Sequence, residues 1–377
     1  MLRLLIVTAL LHLYIGSRLV PDLLPLSMFA AGMLAVWLAA STILIPYGFQ
    51  MRRATSEGRA QALAWTGLLA MGFFSSLFVL TILRDVALLA GFTLSLFIQM
   101  ETQLQQFREW SAAAVPVVAG LLTVVGFINA RRRAAVRRID IPITDLPAAL
   151  HGFTIAQISD LHIGPTIRGH HLDAIVDAVN ELGADMIAVT GDLVDGTVAQ
   201  LALHTAPLSR LSARHGTFFV TGNHEYYSGV HAWVAELRRI GLRVLINEHV
   251  VLQHDGAQMI VAGVTDFNGG RFDPSHESHP AGAIAGAPDA VSVLLAHQPR
   301  SAIAAQSAGY DLQLSGHTHG GQFLPWNFFV RFQQPFTAGL HRLGKLWVYV
   351  SRGTGYWGPP KRIGAPSEIT RLRLVPA

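Results

Sequence analysis

A membrane-spanning helical region followed by an α/β sandwich is the architecture this sequence predicts, and three observations predict it. Residues 23–51, 60–83 and 110–130 contain no charged side chain, and each reaches the roughly 20 apolar residues that cross a bilayer. Beyond residue 139, short apolar runs first alternate with amphipathic helical patterns and then cluster, which is α/β texture. Those runs end, one after another, in a small residue followed by a carboxylate, a carboxamide or an imidazole.

The overall composition averages two unlike parts. Of 377 residues, 51% are hydrophobic and 14% charged, with a mean hydropathy of +0.39. Residues 1–130 hold seven arginines, five acids and a single histidine, His12, whereas the remainder carries sixteen histidines and nineteen acids. The expected division is a helical membrane region of about four spans over 1–130, a basic juxtamembrane linker over 131–150, and a soluble domain over 151–377. The net charge of +4 has the same origin. Five arginines lie within 131–138, and beyond them sixteen Lys or Arg face nineteen acids. The domain is therefore mildly acidic and offers nucleic acid no basic surface. With no cysteine in the chain, disulfides, thiolate metal sites and cysteine nucleophiles are excluded.

Two apolar windows are shorter than the rest. Residues 4–17 sit between Arg3 and Arg18, whose long side chains can snorkel to an interface. No small-x-small cleavage site precedes Pro21, so this segment reads as an uncleaved anchor rather than a signal. Residues 86–100 follow Arg84 and Asp85 and are expected to be an interfacial or re-entrant piece. Arg52, Arg53 and Arg59 on one side, and Arg131, Arg132, Arg133, Arg137 and Arg138 on the other, set the orientation. Under the positive-inside rule both clusters face the cytoplasm, which predicts four spans in the inner membrane and a cytoplasmic domain.

Within the domain, Ile139–Ile143 reads as a short strand-like linker and Phe153–Ile158 as a strand. Leu172, Ile175, Val176, Val179 and Leu182 recur at helical spacing, as do Val230, Trp233, Val234, Leu237 and Ile240. Further strands are expected at 186–190, 217–221, 259–264, 291–295 and 312–314, with closing strands at 346–350 and 369–374. The stretch 281–290 reads as a surface loop.

The potential ligands stand at the ends of these strands: Asp160 and His162, then Asp192, Asn223 with His224, His297, and finally His317 with His319. Side chains two apart at a strand end point the same way, and loops at neighbouring strand ends converge on one crevice. Taken singly, each has an ordinary reading: Asp160 and Asp192 as caps, Asn223 as turn chemistry, His224 and His297 as core histidines, His317 and His319 as a surface pair. Such readings would have to hold together at five successive strand ends. Oxygen and imidazole ligands without thiolates suit Mn, Fe, Zn or Co. Two ions about 3.5–4 Å apart need one shared carboxylate, and Asp192, alone after its own strand, is the candidate.

The ordered set Asp160-x-His162, Gly191-Asp192, Gly222-Asn223-His224-Glu225, Ala296-His297 and Gly316-His317-x-His319 resembles the calcineurin-like metallophosphoesterase superfamily. Ser159-Asp160-Leu161-His162 behind a hydrophobic N-terminal region is similar to its bacterial membrane-associated group, the neighbourhood of transmembrane proteins with a metallophosphoesterase domain. The resemblance covers about residues 150–355. It implies a four-layer sandwich of two mixed sheets flanked by helices. It also implies two divalent cations, of Mn, Fe or Zn type. Asp160, His162 and His319 would hold the first, Asn223, His297 and His317 the second, and Asp192 would bridge them. His224 would sit just outside that shell and serve catalysis.

The implied activity is hydrolysis of a phosphodiester or diphosphate by a metal-activated hydroxide. Tethering to the bilayer makes a lipid-linked or amphipathic substrate the expected partner, for example a lipid of the UDP-diacylglucosamine type. A broad phosphomonoesterase or nucleotide phosphodiesterase is the enzymatic alternative, and a non-catalytic membrane sensor of metal or phosphate is the alternative from another class. Two stretches stay open between functional and structural readings. Ser351–Gly355 either approaches a phosphate through Arg352 and backbone N–H groups or is a surface turn. Phe323, Trp326, Phe328, Phe329 and Phe332 form either an apolar lip facing lipid or packing between layers. His170 and His171 read as the solvated start of a helix.

Overall fold

The computed structural model describes residues 2–51 and 58–377, and the chain divides into two units. The first contains α1 (Leu2–Leu23), α2 (Met28–Met51), α3 (Arg59–Ser95) and α4 (Glu101–Arg131). All four are long and apolar enough to cross a membrane. Arg52 and Arg53, on which the expected orientation partly rests, lie outside the described residues.

The separate piece expected at 86–100 does not form. α3 runs unbroken for 37 residues, so 86–95 are its last turns and only 96–100 form the connection. No proline interrupts it, and the charges that ended the apolar window are satisfied inside the helical unit. Arg84 pairs with Asp22 and donates to Ser111 Oγ (2.8 Å) and to the carbonyls of Arg18 (3.1 Å) and Arg108 (2.9 Å). Asp85 accepts from Tyr14 Oη at 2.8 Å and from Arg18 Nε at 2.9 Å. Small residues let α2 and α3 meet: a Cβ on Gly48 would lie 2.7 Å from Gly67 Cα, the close approach that packs helices in lipid.

Gly358–Ile363, far along the chain, groups with this helical unit. Its Lys361 is buried and donates to Gly72 O (2.6 Å), Ser75 Oγ (3.1 Å) and Ser76 Oγ (2.6 Å). An ammonium removed from water needs such partners for its protons.

The second unit is built on two six-stranded mixed sheets. Its strands are β1 (Ala135–Ile143), β2 (Thr154–Ile158), β3 (Met186–Val189), β4 (Thr217–Phe219), β5 (Arg243–Val244) and β6 (Glu248–His254). They continue with β7 (Ala257–Gly263), β8 (Val291–Leu295), β9 (Leu312–Ser315), β10 (Gly339–Leu343), β11 (Leu346–Val350) and β12 (Glu368–Pro376). The sheet orders are β1-β12-β2-β3-β4-β5 and β10-β11-β9-β8-β7-β6. Helices α5 (Gly169–Asn180), α6 (Val198–Thr205), α7 (Asn223–Ser228), α8 (Val230–Arg239), α9 (Pro280–Ile284), α10 (Ala302–Ser307) and α11 (Trp326–Gln333) complete it.

Three apolar clusters make the layers. Ile155, Met186 and Phe218 of the first sheet meet Val261, Val293 and Leu314 of the second in the central one. Ile158, Ile187 and Phe219 pack outward on Leu172, Val176 and Trp233 of the helices. Leu294 and Val348 pack on Ala283, Ala302 and Ala305. This is the expected four-layer sandwich.

Two expected connectors are structured. Residues 131–150, read as a linker, contain β1, which pairs in parallel with β12 from Ala135↔Glu368 to Ile143↔Pro376. Its partner is more than 200 residues away, beyond the reach of local pattern. The loop expected at 281–290 begins inside α9, whose Ala283 is fully buried.

Candidate metal centre

β2, β3 and β4 lie side by side and parallel, so their C-terminal ends are neighbours. The backbone carries the pairing on past the strands: Asp160 N–H donates to Gly191 O (3.0 Å), His162 N–H to Asp192 O (3.1 Å) and Ile163 N–H to Leu193 O (2.8 Å). The alternation of a regular strand does not aim Asp160 and His162, because β2 has ended by then. Both take left-handed backbone, φ 55° and 51°, as do Asp192 (52°), His317 (70°) and His319 (50°). Such conformations cost a residue other than glycine roughly 1–3 kcal/mol each and cluster at functional sites.

Six of the seven predicted ligands come together in two adjoining groups, and the seventh, Asn223, lines the same cavity. Asp160, His162 and His319 form one trio, with ligand atoms within 4.8 Å of one another, and Asp192, His297 and His317 form another. His162 Nε2 is 3.0 Å from His319 Nε2, and His319 Nε2 is 3.5 Å from Asp160 Oδ1. In the second group His297 Nε2 lies 3.2 Å from both His317 Nδ1 and Asp192 Oδ2. Asp192 Oδ2 stands between the groups, 3.9 Å from His162 Nε2 and 4.0 Å from His224 Nε2.

The donor set fits divalent cations on three counts. Imidazole nitrogens face one another at hydrogen-bond distance, an arrangement that a shared cation relieves. The side-chain oxygen of Asn223 is buried and has no hydrogen-bond partner, a cost that ligation removes. Tautomers are also fixed from behind: His297 Nδ1–H donates to Thr190 O at 2.7 Å, and His162 Nδ1 is 3.3 Å from Asp195 Oδ1. Each leaves Nε2 facing inward, the usual arrangement of metal-binding histidines.

Electrostatics match this design. Burial opposes ionisation of Asp192, but the imidazoles of His297, His224 and His162 outweigh it and hold its carboxyl well below the usual range. Burial pushes Asp160 up, reinforced by Asp192. His317 falls to about 3, through burial and then through His297, and so keeps one ring nitrogen's lone pair available at neutral pH. His297 goes the other way: burial disfavours its charge, but Asp192, Asp160 and Asp266 raise it well above the ordinary value. A cation taken up there displaces a proton, so metal affinity rises with pH.

Two residues essential to the layout carried no assigned role in the sequence reading. Asp195 meets both His162 Nδ1 and His224 Nδ1, orienting two imidazoles with one carboxylate. Glu225 is fully buried and accepts from three backbone N–H groups: Asp192 (3.0 Å), Leu193 (2.7 Å) and Gly222 (2.6 Å). It ties the β3 loop to the β4 loop. The signals were present as an acid three residues after Asp192 and an acid three residues after Gly222, the latter at capping-box spacing.

His224 is partly open, with 14% of its side chain exposed, and its backbone N–H donates to Asp192 Oδ1 at 2.9 Å. It lines a cavity of about 130 Å³ with His162, Asp192, Asn223, His317 and His319, walled by Trp326, Val330, Gln333 and Trp357. The Ser351–Gly355 run buttresses the centre from behind. Thr354 N–H donates to Ser159 O (2.7 Å) and Gly355 N–H to Asp160 O (3.1 Å), while Arg352 pairs with Glu368 at 3.0 Å. His170 is exposed at the start of α5, as expected.

Close packing makes Gly222 irreplaceable. A Cβ there would lie 2.5 Å from Asp192 N and collide with Asp192 Oδ1. Gly222→Ala is expected to cost about 1–3 kcal/mol of stability and to weaken metal retention. Denaturant unfolding and elemental analysis check this; wild-type values in both would mean that the loop has slack.

Comparison with known proteins agrees with this geometry. Residues 153–321 match the family described as calcineurin-like phosphoesterase. A transmembrane protein with metallophosphoesterase domain from Bos taurus is 39% identical over 277 residues, covering 70% of this chain and 62% of that protein. Its Danio rerio counterpart is 37% identical, covering 69% and 62%. The chain thus spans less than two thirds of these two relatives. An uncharacterized metallophosphoesterase of Campylobacter jejuni is 35% identical over 263 residues, covering 68% of each chain. With the motif order, the two mixed sheets and the convergent ligand trios, these similarities establish that the chain belongs to the calcineurin-like metallophosphoesterases.

Proposed function

We propose that this chain is a membrane-anchored phosphoesterase that uses two divalent cations to hydrolyse a phosphodiester or diphosphate. The observation that carries this reading is the pair of ligand trios meeting at Asp192 beneath an open cavity, with the buried Asn223 oxygen awaiting a partner. When bound, a pair of cations of Mn, Fe or Zn type supplies an acidified water as nucleophile and a positive clamp for phosphoryl oxygens. Asp160, His162 and His319 hold one position, Asn223, His297 and His317 the other, and Asp192 both. His224, its Nδ1 held by Asp195, delivers a proton from Nε2 to the departing oxygen. Trp326 and Trp357 wall the cavity and limit water around it.

A lipid-linked or amphipathic substrate is the finer reading. It draws support from the four membrane-length helices and from α11. Trp326 and Val330 of α11 line the cavity, whereas Phe328, Phe329 and Phe332 are 58%, 52% and 87% exposed. Exposed aromatic side chains on the helix that walls the cavity suit a substrate with a phosphorylated head and an apolar tail.

The test is the purified full chain with Mn²⁺ against phosphodiester, phosphomonoester and lipid-diphosphate panels. Preferred hydrolysis of the lipid diphosphate is expected. Preference for a monoester or nucleotide diester would favour the enzymatic alternatives, and no hydrolysis at all would favour a sensor.

The arginines after α4 support a domain on the cytoplasmic side of the inner membrane. A reporter active only after export, joined after Arg138, is expected to stay silent; activity there would reverse the orientation.

A further inference from the structure

One other group of imidazole and carboxylate atoms converges in the domain, outside the two trios. His231 is the second residue of α8, Asp273 caps the 3-10 turn Pro274–His276, and His276 is the last residue of that turn. One ligand atom from each lies within 4.8 Å of the others, and His231 Nε2 is 3.0 Å from Asp273 Oδ2.

The other polar side-chain atoms of Asp273 and His276 are already committed. Asp273 Oδ1 accepts from Ser275 N (2.9 Å) and Ser275 Oγ (2.7 Å), which leaves Oδ2. His276 is buried, and its Nδ1 is 2.9 Å from Tyr226 Oη. Tyr226 Oη also has Thr221 Oγ1 at 3.4 Å, toward which its O–H can point; it can then accept a hydrogen bond from His276 Nδ1–H, the tautomer that leaves a lone pair on Nε2. This is the support from behind that metal-binding histidines and carboxylates use. His231, by contrast, is 72% exposed at its side chain, so the cluster opens to solvent and has a route for an ion.

We propose that His231, Asp273 and His276 form a third cation site, separate from the paired centre, that takes a borderline divalent ion such as Zn²⁺. Two imidazoles and one carboxylate are a recurrent zinc ligand set, with solvent completing the shell. The same atoms are poor ligands for Mg²⁺ or Ca²⁺, which favour oxygen. An ion here joins the first turn of α8 to the loop after β7. Through Tyr226 it also braces α7, the helix that opens with Asn223 and His224. Its role is structural.

The full chain, purified in detergent without a histidine tag and stripped by chelator, is titrated with Zn²⁺. Bound metal per chain and thermal unfolding are measured for wild type, His231→Ala, Asp192→Asn and the double variant. His231 is exposed, so its replacement leaves the core intact. His231→Ala is expected to bind one ion fewer than wild type. The double variant is expected to bind one fewer than Asp192→Asn and to lose the zinc-induced rise in melting temperature that Asp192→Asn retains. Equal zinc binding with and without His231 in both backgrounds would overturn the third site while leaving the paired centre untouched.

Discussion

Asp192→Asn is expected to empty both cation positions and lower hydrolysis by at least about a thousandfold. The side chain keeps its size, and its oxygen can still accept from the His224 N–H, which is 2.9 Å from Asp192 Oδ1 in the native site, so the fold should survive. What changes is charge and polarity at the shared position. Oδ2, 3.2 Å from His297 Nε2 and 3.9 Å from His162 Nε2, becomes an amide nitrogen that presents hydrogens where an anionic oxygen stood. Several kcal/mol of transition-state charge stabilisation disappear with the cations, and each 1.36 kcal/mol is tenfold in rate. Elemental analysis beside a rate measurement checks the result. Retention of both ions would refute the bridge.

His224→Ala has the second largest expected effect, a fall in turnover of about 10²–10⁴-fold, the range of a positioned acid or base. Metal content should stay near wild type, for two structural reasons. The contact that His224 makes with Asp192 Oδ1 comes from its backbone, which alanine keeps. Its ring also borders the cavity rather than filling the interior. An equal loss of metal and activity would make His224 a ligand instead.

Asp195 and Glu225 show why only part of the centre was legible. The seven candidate ligands announce themselves because they follow strand ends, a pattern local to each stretch of sequence. The work of Asp195 depends on where His162 and His224 fall, 33 and 29 residues away. That of Glu225 depends on the parallel pairing of β3 and β4, which sets the Asp192 and Leu193 amides before it. α11 is similar. Its aromatic residues follow the last ligands at a spacing that suits either burial or exposure, and the fold leaves Phe328, Phe329 and Phe332 outside while Phe323 goes in.

The apolar helical region and the α/β sandwich were legible in the sequence alone, as were candidate ligands that the fold gathers. Each rests on local pattern: the length of a charge-free run, the period of apolar residues, a small residue before a ligand. Only the tertiary structure decided that α3 continues through Arg84 and Asp85, since their partners come from α1 and α4. It alone turned the expected linker into an edge strand paired with the chain's far end, and carried Lys361 to serines more than 280 residues earlier. Partners so distant leave no periodicity to read, because what selects them is the need of a buried charge or an unpaired strand for whatever the folded chain brings within reach.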